Sequence, residues 1–232
     1  MKNLKSKIIN LITNYRLPNT EYFSGFAGIR SHRDRLQLLT ACCLLLTFNS
    51  FAFTNYVWSG GSDTAPYDSW ATAAHSIQDA VDNAVEGNVV LVTNDVYTLS
   101  SYIMLATNNI LLKSVNGAEN TVIDGNFAGS CIYLKGISVI DDFLIRNGNS
   151  PNGGAIFVQN GGTVLNCILT NNSSTGNGGA IYAYKTFITN CFIKGNEAVN
   201  GGGVFLRNNS FVKNCVFENN HALTNEIGRA HV

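Results

Sequence analysis

The chain repeats one short segment three times, as Asn166-Cys167-Ile168-Leu169, Asn190-Cys191-Phe192-Ile193 and Asn214-Cys215-Val216-Phe217. The copies follow one another at a constant step of 24 positions, and Asn172, Asn196 and Asn220 keep the same step. Glycine pairs recur between the copies with slips of one position, at Gly153-Gly154, Gly178-Gly179 and Gly202-Gly203. Carried backwards, the step links Phe143 to Cys167. It also links Cys131 to Ala155, so at least four units are present.

A repeat unit of this length predicts short strands wound into a parallel β-helix. Apolar segments such as Ala155 to Val158 alternate with a period of two and are bounded by Gly or Asn. A unit with two or three such strands cannot bury a face alone, but it can when it stacks on its neighbours about 4.8 Å away. Corner asparagines can then bond one another in ladders, and Gly pairs can form turns of positive φ. We therefore predict an all-β, right-handed parallel β-helix.

The leucine-rich repeat is the alternative for a unit of this length. It requires a Leu-x-x-Leu-x-Leu frame, which this sequence lacks. The β-helix is therefore the favoured fold, with its regular repeats spanning residues 125–225.

The polar surface of this protein is built from asparagine rather than from charge. Of the 232 residues, 31 are Asn and only 13% are charged, with 15 Lys+Arg against 15 Asp+Glu. A net charge of zero argues against an electrostatic nucleic-acid binder, which needs a basic surface to displace counterions from phosphates. It also argues against an acidic disordered tail.

The first 52 residues have the pattern of an export signal. An apolar stretch from Leu36 to Phe48 follows Arg30, Arg33 and Arg35 and precedes Ser50-Phe51-Ala52. This stretch is shorter than the roughly 20 residues needed for a transmembrane helix, so cleavage after Ala52 is favoured over an uncleaved anchor. Leu39 to Cys42 also resembles a lipoprotein cleavage box, although the apolar run continues past Cys42. The long n-region fits either a start assigned too early or an extended signal.

Residues 53–124 predict a capping helix followed by the first irregular coils. Ser76 to Val85 carries apolar residues at the spacing of an amphipathic helix, with Ser76 as its N-cap. Such a helix can plug the apolar bore at the end of a β-helix. Strands are predicted at Val89 to Val92, Ile110 to Leu112 and Thr121 to Ile123, with the β-helix beginning at about Val89.

Two sets of residues resemble known families. The Gly-Gly-Ala-Ile copies, together with Phe187-Ile188-Thr189-Asn190 and Phe211-Val212-Lys213-Asn214, resemble the GGA(I/L/V) and FxxN tetrapeptides of chlamydial-type polymorphic outer membrane proteins. Trp70 to Val81, with Val115 to Gly125, is similar to the opening of bacterial β-helix proteins of the pectate-lyase-like superfamily. The resemblances imply an exported β-helix at the cell surface or outer membrane, in the first family often an adhesin. They imply little about activity, because the superfamily includes lyases, hydrolases and non-catalytic proteins.

A β-helix enzyme that cuts polysaccharides needs carboxylates grouped on one outer face, beside a basic residue or Ca²⁺. The carboxylates between residues 100 and 225 are Glu119, Asp124, Asp141, Asp142, Glu197 and Glu218. Strand alternation places Asp141 and Asp142 on opposite sides, and Asp142 falls in the corner column of Asn166, Asn190 and Asn214. The column Arg146, Thr170, Lys194 and Glu218 reads as a solvated face, with Lys194 and Glu218 as a weak pair. The sequence predicts no catalytic residue.

The cysteines allow two interpretations. Cys167, Cys191 and Cys215 would stack about 4.8 Å apart, within reach of a disulfide in an oxidising compartment. Three in one column leave one unpaired, and Cys131 lies in another column, so buried free thiols are the favoured interpretation. His75 and His221 are isolated, and no zinc spacing, phosphate loop or dinucleotide fingerprint occurs. We therefore predict no metal-binding or cofactor-binding residue and no cofactor.

These patterns favour an exported, non-catalytic surface or matrix protein that is adhesin-like or glycan-binding. The partner would be a polysaccharide or a host or matrix surface; nucleic acid is not expected, nor is a membrane span after residue 52. The alternative is a polysaccharide lyase or glycoside hydrolase. Two or more carboxylates converging with an Arg or Lys on one outward groove would favour that alternative.

The repeat stops near the end of the sequence. It calls for a Gly-Gly turn at positions 225 and 226, which read Asn225-Glu226. Residues 226–232 are also what a common sequencing adapter encodes in one frame. We expect this final segment not to be biological and the natural chain to continue with further coils.

Overall fold

A computed structural model of the protein describes residues 52–107 and 109–224. The predicted export signal, including Cys42, lies outside these residues apart from Ala52. Residues 226–232 lie outside them as well.

The described residues form one helix and 22 strands. The N-terminal elements are β1 (Thr54–Val57), α1 (Ile77–Asn83), β2 (Val89–Val92), β3 (Asp95–Thr98), β4 (Ile103–Leu105), β5 (Leu111–Ser114) and β6 (Thr121–Asp124). The next strands are β7 (Ile132–Leu134), β8 (Val139–Asp141), β9 (Leu144–Arg146), β10 (Asn149–Asn152), β11 (Ile156–Val158), β12 (Gly162–Leu165), β13 (Ile168–Thr170) and β14 (Ser173–Asn177). The last are β15 (Ile181–Tyr184), β16 (Thr186–Thr189), β17 (Phe192–Lys194), β18 (Glu197–Asn200), β19 (Val204–Arg207), β20 (Phe211–Lys213), β21 (Val216–Glu218) and β22 (His221–Ala222).

The strands form four sheets that run along a solenoid. Sheet A has the order β1-β2-β5-β8-β12-β16-β20, and sheet B the order β21-β17-β13-β9-β6-β3. Sheet C has the order β19-β15-β11-β7-β4, and sheet D the order β10-β14-β18-β22. Pairing within each sheet is parallel, as between β12 and β16 or between β13 and β17. The predicted parallel solenoid, with one coil for each unit of the sequence repeat, is confirmed.

The pairing register follows the repeat. Ile168 pairs with Phe192, and Phe192 pairs with Val216, so the strands of sheet B from β9 to β21 follow one another at the regular step. In sheet C, Ile156 pairs with Ile181, one position beyond the regular step, and Ile181 pairs with Val204, one position short of it. The turns between sheets absorb these slips, so the core positions stay aligned.

Two parts of the solenoid differ from the predicted boundaries. The β-helix begins before Val89, because β1 at Thr54–Val57 already pairs in parallel with β2. Sheet D was not predicted, because its strands lack an apolar alternation. Strand β14, for example, consists of Ser, Thr, Gly and Asn, and pairs with β10 and β18.

The corners between sheets A and B explain the asparagine column. Asp142, Asn166, Asn190 and Asn214 have φ values of 67°, 50°, 55° and 53°, in the left-handed region. Short polar side chains such as Asn and Asp are the non-glycine residues that tolerate this region best. The predicted place of Asp142 in this column is therefore confirmed.

Helix α1 is shorter than predicted. The hydroxyl of Ser76 accepts a hydrogen bond from the Gln78 N–H at 3.1 Å, which confirms the N-cap. Ile77, Ala80 and Val81 are buried, and the helix contacts β1, β2 and β4. It ends at Asn83 because Ala84 adopts an extended ψ of 136°, and Val85 is exposed instead of packing on the core.

The core lies between the sheets and continues from coil to coil. In sheet A its members are Val90, Leu112, Ile140, Val164 and Ile188, and in sheet B they include Ile123, Ile145, Leu169 and Ile193. Each fully buried aliphatic side chain contributes roughly 1.5–3 kcal/mol. Because every coil adds the same kind of contact, the outer faces are left free to vary.

Candidate functional site

An aromatic ladder runs along the outer face of sheet C. Tyr133, Phe157, Tyr182 and Phe205 occupy one register position in successive strands. Their ring centroids follow one another at 5.0, 5.0 and 5.7 Å, and Tyr102 extends the ladder at 5.9 Å from Tyr133. Strand stacking sets this spacing, because neighbouring strands lie about 4.8 Å apart. This ladder was not predicted from the sequence, although the regular step of the repeat links Tyr133 to Phe157.

A second aromatic pair lies on the outer face of sheet A. Phe187 and Phe211 stack with centroids 5.4 Å apart and an interplanar angle of 15°. Their exposures are 56% and 55%, which is high for side chains of this size. Exposed apolar groups that lie together in this way commonly mark a surface that binds a ligand, another protein or a membrane.

Polar groups border both sets of rings. The Tyr133 hydroxyl donates to Gln159 Oε1 at 3.0 Å, and Arg207 Nη1 donates to the Tyr182 hydroxyl at 2.9 Å. Lys185 Nζ lies 5.5 Å from the centroid of the Tyr184 ring, within cation–π range. The outer faces of sheets C and A therefore combine aromatic rings with cations and hydrogen-bonding groups.

The prediction that Asp141 and Asp142 point to opposite sides is wrong. Lys113 Nζ donates to the carboxylates of both residues, at 3.0 Å from Asp142 Oδ2. Strand alternation fails here because β8 ends at Asp141 and the chain turns at Asp142, which has positive φ. Asp141 also accepts from Asn166 Nδ2 at 2.7 Å and is buried.

Two carboxylates and a lysine therefore converge at one place, which is the arrangement that would favour a polysaccharide-cleaving enzyme. The bonding of Lys113 opposes a reaction in which this lysine would be the base. The hydrogen bond to Asp141 raises the pKa of Lys113, and the bond to Asp142 adds to this against the lowering by burial. A lysine held protonated cannot abstract a proton, and its two carboxylates are already bonded to it. The cluster links β5 to β8, and its charged groups bond to one another.

Asp124 forms a second closed cluster. Its carboxylate accepts from Arg146 Nε at 2.8 Å and from Asn147 Nδ2 at 3.0 Å. Burial alone would raise the pKa of Asp124, but bonds from the Asn147 side chain, the Asn126 N–H and Arg146 outweigh it and lower the pKa. Asp124 thus stays ionised and serves as a bonding partner within the solenoid.

The predicted solvated column is confirmed further along sheet B. Lys194 Nζ and Glu218 Oε1 are 2.8 Å apart, and both side chains are nearly half exposed. Thr170 pairs with both Arg146 and Lys194. An ion pair this exposed contributes little stability, because water screens it.

The asparagines form ladders inside the fold. Asn172 Nδ2 donates to Asn196 Oδ1 at 3.0 Å, and Asn196 Nδ2 donates to Asn220 Oδ1 at 2.9 Å. A second ladder joins Asn200 to Asn177 at 3.0 Å, and Asn177 to Asn152 at 2.9 Å. These amides are already bonded, so they stabilise the stack and leave the rings and cations as the main groups for a partner.

The cysteine column contains free thiols, as the favoured interpretation predicted. Cys167 and Cys191 are buried, and Cys215 is partly buried. Contact with the Cys167 thiol, together with burial, raises the pKa of Cys191 to about 12. Burial raises the pKa of Cys131 to about 12 as well. Thiols that remain protonated are poor nucleophiles and poor metal ligands.

A cavity of about 380 Å³ lies beside α1. His75, Ser76, Asp95 and Tyr97 are among the residues that line it. His75 Nε2 lies 2.8 Å from the carbonyl oxygen of Gly61. Within residues 52–107 and 109–224, no three His, Cys, Asp or Glu side chains are placed to share a metal ion. No helix in these residues is long and apolar enough to cross a membrane.

A family model supports the resemblance seen in the sequence. The model of the Chlamydia polymorphic membrane protein repeat matches residues 166–184. This span runs from the corner residue Asn166 through β13 and β14 to the end of β15, and it includes one Gly-Gly-Ala-Ile segment. No curated protein and no solved structure shows a significant match. The chain therefore contains a repeat of the Chlamydia polymorphic membrane protein type, set within a parallel β-solenoid.

Proposed function

We propose that this protein is an exported, non-catalytic surface protein that binds a glycan or a host or matrix surface through the outer faces of sheets C and A. The observation that carries the proposal is the row of outward aromatic rings, from Tyr133 to Phe205 and at Phe187 and Phe211. A solenoid whose core is already filled does not need aromatic rings on its outside. The polymorphic membrane protein repeat supports a place at the membrane or cell surface.

The proposal extends to the winding and closure of the solenoid. Crossovers between parallel strands are right-handed in about 98% of cases, which supports a right-handed coil. Helix α1 would act as the N-terminal cap, because its buried face packs on β1, β2 and β4. Export would use the signal-like first 52 residues.

The bonding within the lysine cluster argues against a lyase in which Lys113 is the base. Lys113, Asp141 and Asp142 satisfy one another, and the raised pKa of Lys113 keeps it in the acid form. A lyase of this fold would need a free base beside the sugar ring. The lyase or hydrolase function remains the alternative outcome of the test.

The test measures binding and cleavage by the same full chain. Phe187 and Phe211 are both replaced by Thr, because Thr163 occupies the same outer position in the preceding coil. We expect the full chain to bind at least one glycan or matrix component on an array, and the double variant to bind it at least tenfold more weakly. Phe192→Thr on sheet B is the matched control and should leave binding unchanged.

Two results would overturn the proposal. Release of unsaturated or reducing sugars from a pectin and alginate panel would show an enzyme. Failure of the folded full chain to bind any glycan, matrix component or host cell would remove the adhesive role.

A further inference from the structure

The net charge of zero hides an uneven distribution of charge. Lys135, Lys185, Arg207 and Lys213 are all exposed. The first three lie where sheet C meets sheet A, and Lys213 lies at the opposite edge of sheet A. Lys135 follows β7, Lys185 joins β15 to β16, and Arg207 ends β19. Lys213 ends β20, two residues after Phe211 and farther from sheet C.

Carboxylates are sparse on this side of the solenoid. In the strands of sheets A and C, Asp141 is the only Asp or Glu, and it is bound to Lys113. The carboxylates of Asp124, Glu218 and Glu197 lie instead in sheets B and D. Within the described part of the chain, no carboxylate lies within 4.0 Å of any of the four cations. Their positive charge is therefore open to an external anion.

Aromatic rings lie between these cations. Phe187 and Phe211 are in line with Lys185 on one side and Lys213 on the other, because alternate residues of β16 and β20 face outward. Arg207 and Lys185 already contact the rings of Tyr182 and Tyr184 through a hydroxyl bond and a cation–π contact. We call the four cations together with Phe187 and Phe211 the basic aromatic face.

We propose that the basic aromatic face binds an acidic polysaccharide, a proposal that rests on the proposed function and names its partner. Carboxylate or sulfate groups would pair with Lys and Arg in charge-assisted bonds. The C–H groups of the sugar rings would pack on the exposed phenyl surfaces. A linear polymer can follow the solenoid axis, because the cations are spread along it: Lys135 lies two coils before Lys185, and Arg207 and Lys213 lie one coil after it.

Single-stranded nucleic acid fits this face less well. Bases bind by stacking on open ring faces, and one face of Phe187 and one face of Phe211 are already covered by the other ring, at an interplanar angle of 15°. An acidic polysaccharide depends less on stacking, because its anionic groups pair with the cations and its C–H groups need only the ring surface that stays open.

The experiment immobilises the full chain and measures binding of polygalacturonate and heparin, with dextran as the neutral glycan. We expect both acidic polymers to bind and dextran not to bind, and we expect affinity to fall as salt screens the charges. Replacing Lys185 and Lys213 together by Gln should weaken binding of the acidic polymers at least tenfold. Lys194→Gln on sheet B removes a lysine outside this face; it is the control and should change affinity less than twofold.

Each other outcome is decisive. Equal binding of dextran, or full affinity in the double Gln variant, overturns this inference and leaves the proposed adhesive function standing. Binding of neither acidic nor neutral glycan, nor of any matrix component, removes both. Tighter binding of single-stranded DNA or of anionic lipid vesicles than of polygalacturonate would show that the partner is wrong. If the double Gln variant loses its far-UV signal, Lys185→Arg with Lys213→Arg must retain binding for the inference to hold.

Discussion

At the scale of the residue, the coils depend on buried asparagine, because the hydrogen bonds of its side-chain amide link three successive coils. Asn196 is 1% exposed and donates to Leu169 O at 2.9 Å and to Asn220 Oδ1 at 2.9 Å. Its own Oδ1 accepts from the Asn172 N–H at 3.0 Å. An aliphatic side chain at this position would leave a carbonyl and an N–H without partners inside the stack.

We expect Asn196→Ala to lower the free energy of unfolding by about 3 kcal/mol or more, because each buried polar group left unbonded costs roughly 1–3 kcal/mol. Denaturant unfolding followed by circular dichroism measures this change. The matched control is Asn149→Ala, which alters an exposed asparagine in a strand of sheet D and should shift stability by less than about 0.5 kcal/mol. Equal effects of the two substitutions would mean that the ladder does not stabilise the coils.

At the scale of the element, the Gly-Gly turns are required by space as well as by φ. A Cβ on Gly179 would lie 2.0 Å from Gly202 O and 2.7 Å from Glu197 O, and both are backbone atoms that cannot move aside. Gly195 is the contrasting case, because its φ is +63° but nothing lies within 4 Å of its Cβ position.

We expect Gly179→Ala to destabilise the protein by at least about 3 kcal/mol, because the overpacked turn forces the coils apart. Gly195→Ala should cost only about 1–2 kcal/mol, the penalty of a left-handed alanine. Thermal unfolding of both variants compares the two costs directly. A larger effect at Gly195 would show that turn conformation, rather than close stacking, makes these glycines necessary.

The repeat predicted neighbours well where its step is regular and its strands are apolar. The strands of sheet D begin at the same step but were not predicted, because they lack an apolar alternation. Residues one regular step apart become spatial neighbours, so the corner column at Asp142 and the solvated pair of Lys194 and Glu218 followed from the sequence. The cluster of Lys113 and Asp141 did not, because these residues are 28 positions apart in the irregular first coils. The contact between Asp124 and Arg146, which are 22 positions apart, was not predicted for the same reason.

At the scale of the whole molecule, each coil contacts only its neighbours, so one complete coil should be removable. Deleting residues 166–189 removes one full step of the repeat and joins Leu165 to Asn190, which occupies the same corner as Asn166. Strand β12 would then pair with β20 in the register that β16 holds now.

We expect this deletion to keep the β-sheet circular dichroism signal and a monodisperse elution profile, with a lower unfolding midpoint because one coil is lost. Deleting residues 166–185 stops short of a full step and should abolish folding, since two sheet A strands would follow each other without the other faces between them. If both deletions unfold, the solenoid behaves as one cooperative unit rather than as a sum of coils.

The buried asparagine ladder also has a direction. The Gly148 N–H donates to Asn172, Asn172 donates to Asn196, and Asn196 donates to Asn220, so the bonds to asparagine side chains point towards the later coil. The same amides also donate back to backbone oxygens, as Asn196 does to Leu169 O. Each folded coil therefore exposes N–H groups that can donate to the side-chain Oδ1 of the asparagine in the next coil. A chain that folds from its N-terminal end adds each new coil to a complete set of donors on the previous coil. Folding that starts at the N-terminal end would therefore bring each new coil into register on the coil already in place.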